Sequence, residues 1–249
     1  MVPESQAYSW KLIPPRKTAL KDFRIGFILD DPLCPVSSEI KPVMQSALKK
    51  FANAGVHLEE GWPENIHPEE QFLNYSYLLN AYISGSATEP EIEKLRTEVR
   101  QGDKSTENIR AMAYTNRYKY FREQDSKRMK AREDWQEFFR HYDAFIMPVA
   151  FVPAFPHINK PWKLHNPDPD SKRYLQTPEG QRDYDDIIFW ISFATLTGLP
   201  ATVFPAGISG TGLPVGLQVI GPYLEDATPI SLAGKLSELT GGIRHPAGY

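Results

Sequence analysis

The chain has 249 residues, 41% of them hydrophobic, enough to bury a substantial core as one large domain or two small ones. Its 28 basic and 31 acidic side chains are interspersed and leave a formal charge of −3, so no electrostatic surplus favours nucleic acid or an acidic membrane; a small or neutral partner is expected. No run approaches the ~18 apolar residues of a membrane span. Pro3, Pro14 and Pro15 stand where a signal peptide needs an apolar stretch, and the lone Cys34 has no internal disulfide partner, so a cytoplasmic setting is expected.

Residues 1–21 read as a polar, proline-bearing arm, with residues 22–249 forming the folded body. Arg24 to Leu29 is a strand signal. Apolar residues then recur at Val36, Ile40, Val43, Met44, Ala47, Leu48 and Phe51, the spacing of one buried helical stripe, with Gly55 as its stop. Val56 to Trp62 alternates like a second strand, so 24–62 is a strand–helix–strand unit of the kind that builds parallel sheets. Helical patterning resumes at Glu69–Ile83. From Glu107 to Tyr142 aromatics sit among dense charges of both signs, which reads as one or two long helices with solvated faces, since the acids cancel much of the basic charge a nucleic-acid surface would need.

Asp143 to Pro148 is an apolar run suited to a buried strand. A proline-rich stretch of some thirty residues follows, read as a long loop. Asp185 to Thr197 is helical in pattern. Thr202–Ile208 and Val215–Gly221 read as a hairpin across a glycine-bearing turn, with Val203, Phe204, Val215, Leu217, Val219 and Ile220 expected in the core. Asp226 can cap a last helix whose Ile230, Leu232, Ala233, Leu236 and Leu239 face inward, ending at Gly241-Gly242.

A complete active site is not legible. There is no Gly-x-Ser-x-Gly elbow, and Ser84-Gly85-Ser86 and Ser209-Gly210 read as turn chemistry. The six histidines lack zinc-like spacing, so no metal is expected, nor any cofactor; the glycines at 207, 210, 212 and 216 are not followed by the lysine of a phosphate loop. Cys34, between Leu33 and Pro35, reads as a buried structural thiol.

The segments Phe193 to Gly207 and Gly212 to Pro222 closely resemble the C-terminal region of amidase-signature enzymes. Leu20 to Gly26, Tyr142 to Pro148, Glu225-Asp226 and the closing Gly241-Gly242-Ile243 with His245-Pro246 are similar too, and these landmarks span nearly the whole chain in family order. The resemblance implies an α/β fold, here a partial α/β/α sandwich with a mixed β-sheet flanked by helices and lacking its N-terminal part. It implies hydrolysis of a carboxamide by a serine, a second serine on a cis peptide and a lysine, in a signature upstream of the matched region. Nothing in residues 1–20 resembles that signature, so no catalytic residue carries over. What the resemblance places near a substrate cleft is Phe193, Thr195 and Gln218, for which core packing and strand hydrogen bonding are equal readings. The expectation is a C-terminal part of an amidase, inactive alone, whose small-molecule amide substrate belongs to the full-length enzyme and whose uncovered surface meets the missing N-terminal half or another copy. A noncatalytic scaffold or binding protein on the same fold is the alternative.

Overall fold

The structure is a computed structural model, and it describes residue 9 and residues 11–159 and 172–243. Strand β1 (Arg24–Phe27), helix α1 (Lys41–Asn53) and strand β2 (His57–Glu60) form the expected unit, with β1 and β2 parallel. Val36 and Ile40 are buried, yet they precede the helix, which starts only at Lys41 with Pro42 in its first turn. Four helices follow: α2 (Pro68–Ile83), α3 (Glu89–Glu98), α4 (Thr106–Thr115) and α5 (Tyr118–Phe138). The stretch of dense charge is thus two helices, broken at Asn116-Arg117.

Strand β3 (Ala144–Pro148) is buried at every residue because it lies inside the sheet, parallel to β1 on one side. On its other side it pairs antiparallel with β7 (Pro214–Ile220), which pairs antiparallel with β6 (Ala201–Ile208). The order β2-β1-β3-β7-β6 makes a mixed five-stranded sheet. The proline-rich stretch is not all loop: among its described residues β4 (Tyr174–Thr177) and β5 (Gly180–Asp183) form a separate small hairpin, while residues 160–171 lie outside the described ones.

Side-chain alternation assigns the two faces. Leu217 and Phe204 face α1, where Phe51 meets Phe204 at 5.8 Å between ring centroids, and helix α7 (Ala227–Thr240) packs against β6 beside it. Phe145 faces the other layer, with Trp135, Phe138 and Trp62 all within 6 Å. Gly26 is required there: a Cβ on it would come within 2.8 Å of the Phe145 ring. Helix α6 (Phe189–Thr197) covers the same face and stops at Gly198, whose left-handed φ of 70° suits a residue without a Cβ.

Two inward assignments are corrected. Val203 is 58% exposed, because β6 is the sheet's edge and no element among the described residues covers its α6-side face. Ile230 is 60% exposed on the outer side of α7, whose inward stripe is Leu232, Ala233 and Leu236. Asp226 occupies the cap position of α7, but its side chain makes no capping hydrogen bond.

The arm is anchored within its described residues. The Arg16 guanidinium grips the Glu225 carboxylate through two bonds of 2.6 and 2.7 Å and donates as well to the carbonyls of Phe139 and Tyr142. A fork-to-fork pair adds geometric specificity to charge, so the chain before β1 is locked to the start of α7 and the end of α5.

Candidate functional site

In open α/β sheets ligands gather outside the carboxyl ends of the strands where the strand order reverses. Here that place is beyond β1 and β3, since β1 connects through α1 to β2 on one side and pairs with β3 on the other. The residues after β1 are Asp30 and Asp31. Asp30 accepts from the backbone N–H of Val36 and pairs with Lys41. Asp31, nearly buried, accepts from the Leu33 N–H at 2.8 Å and from the Trp62 indole N–H at 2.7 Å. Both carboxylates therefore hold loops in place.

Arg182 on β5 is the hub of the same region. Its guanidinium pairs with Asp186, donates to the Pro35 carbonyl at 2.9 Å and lies 4.4 Å from the Phe151 ring centre. It also stands 3.6 Å from the Cys34 sulfur. Despite that cation, burial dominates and pushes the Cys34 thiol up to about 12. With a side chain 1% exposed, the thiol is inert, as expected from its apolar neighbours. We expect Ellman's reagent to find no thiol in the folded protein at neutral pH and one after denaturation; rapid labelling under native conditions would contradict the packing of the β4–β5 hairpin over Cys34.

The three residues placed by resemblance separate. Phe193 is fully buried, 4.7 Å from the Trp62 ring and 5.4 Å from Phe189. Gln218, 3% exposed, donates its amide N–H groups to the carbonyls of Pro148 at 2.8 Å and Trp190 at 2.9 Å, tying the end of β3 to α6. Thr195 points outward; its hydroxyl donates to Ile191 one turn back, and the residue lines an open recess of about 410 Å³ with Gly198, Pro200, Leu224 and Asp226. Phe193 and Gln218 lie on the inner side of α6 and Thr195 on the outer, so no single cavity wall contains all three.

Nucleophile chemistry is not assembled among the described residues. The Ser84 and Ser192 hydroxyls donate to Ala81 and Phe189 carbonyls within their own helical turns. Ser209, in the β6–β7 turn, bonds to Glu39 and Thr211, and accepts from the Leu213 N–H. A carboxylate and a hydroxyl are no substitute for the lysine or histidine base that activates a serine. No group of three or more His, Cys, Asp or Glu among the described residues is arranged to hold a metal. The Arg182 hub carried no advance signal, because an isolated arginine in a proline-rich stretch has no period to reveal its contacts.

The family model described as Amidase matches residues 2–229. The chain belongs to the amidase family. Curated relatives of this family member include a glutamyl-tRNA(Gln) amidotransferase subunit of Exiguobacterium sibiricum, 25% identical over 85% of this chain and 44% of that protein. The subunit of the same name from Thermus thermophilus is 27% identical over 92% of this chain and 49% of its own length. The chain thus spans about half the length of the curated relatives it matches. Among solved structures, an amidase superposes with a TM-score of 0.64 at 20% identity, covering 92% of this chain and 48% of that one. A fatty acid amide hydrolase gives 0.62 at 15% identity, covering 94% and 42%. At such identities the structural likeness shows the shared fold. No helix among the described residues is long and apolar enough to cross a membrane.

Proposed function

We propose that this chain is the C-terminal portion of an amidase, an amidohydrolase acting on the carbon–nitrogen bond of a carboxamide, and that it is not catalytically competent alone. What carries the reading is family membership combined with a match to about half the length of the relatives. The hydrogen bonding of Ser84, Ser192 and Ser209 supports it, since each is engaged in local structure. So does β6, an edge strand whose Ala201 and Val203 lie open on the α6 side, where a further layer or strand of the complete enzyme, or a second copy, finds apolar surface and unpaired backbone. In this reading Thr195 and its recess face the substrate side, while Phe193 and Gln218 brace α6 from behind. In this reading residues 1–21 are an arm or linker and residues 22–249 the C-terminal portion of the amidase domain, in a cytoplasmic setting consistent with the single cysteine. The alternative, a noncatalytic scaffold adapted to stand alone, calls for a polar cover over β6, and Val203 does not supply one.

The test is direct. Purified chain incubated with a panel of simple aliphatic and aryl amides and esters is expected to leave hydrolysis at the background rate. Turnover that survives extensive purification overturns the proposal.

A further inference from the structure

An open recess of about 570 Å³ lies at the amino end of β1 and β2, the end of the parallel strands opposite the loop of Asp30 and Asp31. Lys17, Lys21, Asp22, Arg24 and His57 line it, all exposed to solvent. Three permanent cations and a histidine thus face one carboxylate, a local positive surplus on a chain whose formal charge is −3.

Separate elements bring these groups together. The grip of Glu225 and of the Phe139 and Tyr142 carbonyls on Arg16 ties down the backbone that carries Lys17. Four residues on, the short 3-10 turn Leu20–Asp22 presents Lys21, whose Cβ stands 3.9 Å from where a Cβ on Gly55 would lie, beside the turn from α1 into β2. Arg24 and His57 are the first residues of β1 and β2 and are partners across the parallel pair, so their side chains leave the same face of the sheet. The Arg24 guanidinium lies 5.0 Å from the centre of the Tyr142 ring, a contact that orients the cation without neutralising it. The neighbouring acids are used elsewhere: Glu59 accepts from the Tyr142 hydroxyl, and Asp143 accepts from the Arg24 backbone N–H at 3.0 Å. Lys41, Lys104, Lys130 and Lys172 each pair with a carboxylate, whereas Lys17, Lys21, Arg24 and His57 form no ion pair among the described residues. The carbonyl end of α1, which disfavours an anion nearby, carries Lys50 in its last turn to offset that dipole.

We propose that this recess binds a multivalent phosphate anion, a diphosphate either free or carried on an ester. Its donors come from three places, the arm, the 3-10 turn and the strand ends. That arrangement suits tetrahedral phosphates, whose oxygens point several ways, better than a planar carboxylate, which offers two oxygens along one edge. The open mouth leaves room for the rest of an ester to extend into solvent. The proposal does not depend on the amidase reading, because every group it uses lies between Lys17 and His57.

The probe is inorganic pyrophosphate, titrated calorimetrically into the whole chain at low ionic strength, where exposed charges are least screened. Saturable one-site binding is expected, with citrate, which carries its charge on planar carboxylates, about tenfold weaker. Lys21→Met and Arg24→Gln, both exposed changes, should each weaken pyrophosphate by about threefold, the scale of one exposed charge contact, and combining them with Lys17→Met by about tenfold or more. Lys127→Met, on the distant helix α5, should leave the affinity unchanged. ADP separates the two sources: binding as tight as that of pyrophosphate supports recognition of a diphosphate ester, and exclusion of ADP supports a site for the free anion. Absence of saturable pyrophosphate binding, equal binding of citrate, a triple variant with unchanged affinity, or an equal loss in Lys127→Met overturns the proposal. Should the triple variant not fold, the two single variants decide in the same way.

Discussion

Leu217→Ala is expected to destabilise the fold by about 2–5 kcal/mol, the usual cost of emptying a buried leucine site. Leu217 is fully buried at the middle of β7, opposite Pro148 on one neighbour and Phe204 on the other. Since β7 is the only strand among the described residues that joins β6 to the rest of the sheet, a cavity there loosens both ladders at once. A whole domain is held by about 5–15 kcal/mol, so the drop in denaturant midpoint should be large. Val203→Ala on the neighbouring edge strand is the control: at 58% exposure it should change stability by no more than about 0.5 kcal/mol. An unchanged midpoint for Leu217→Ala would remove β7 from the core.

The second large effect is expected at the adjacent residue, for a different reason. Gln218→Ala removes the amide donor that bonds the carbonyls of Pro148 and Trp190 inside the protein, at about 1–3 kcal/mol for a buried group left without a partner. Gln218→Met separates the contributions, because it restores most of the volume without the donors. Both variants should fall well below the parent in urea titration. If the methionine variant matched the parent, packing alone would explain Gln218, and its bonds to β3 and α6 would be energetically idle.

Much of the architecture was legible from pattern. The apolar run ending at Pro148, the stripe Met44, Ala47, Leu48 and Phe51, and the hairpin after Leu199 each follow from burial on the faces their periods select. What pattern could not say is which face finds a cover. Val203 and Ile230 are apolar and periodic, yet each lies on a side where no described element arrives. Helix α3 was not legible, since it buries only Leu95; its one local mark is the capping box of Thr88 and Glu91. The β4–β5 hairpin is mostly polar and buries only Leu175, too little alternation to stand out. At the site, Gln218 carried two readings that differ only in what stands opposite its amide, and two backbone carbonyls distant in sequence decide between them. The grip of Arg16 on Glu225 joins opposite ends of the chain, a distance at which no spacing rule operates.

The place of β7 also orders events in time. The strand between β3 and β6 is made well after β3, so while a ribosome extends the chain from Pro148 to Pro214 the β3 edge, with five residues destined for burial, has no antiparallel neighbour. At about 5–20 residues per second the vulnerable interval lasts several seconds.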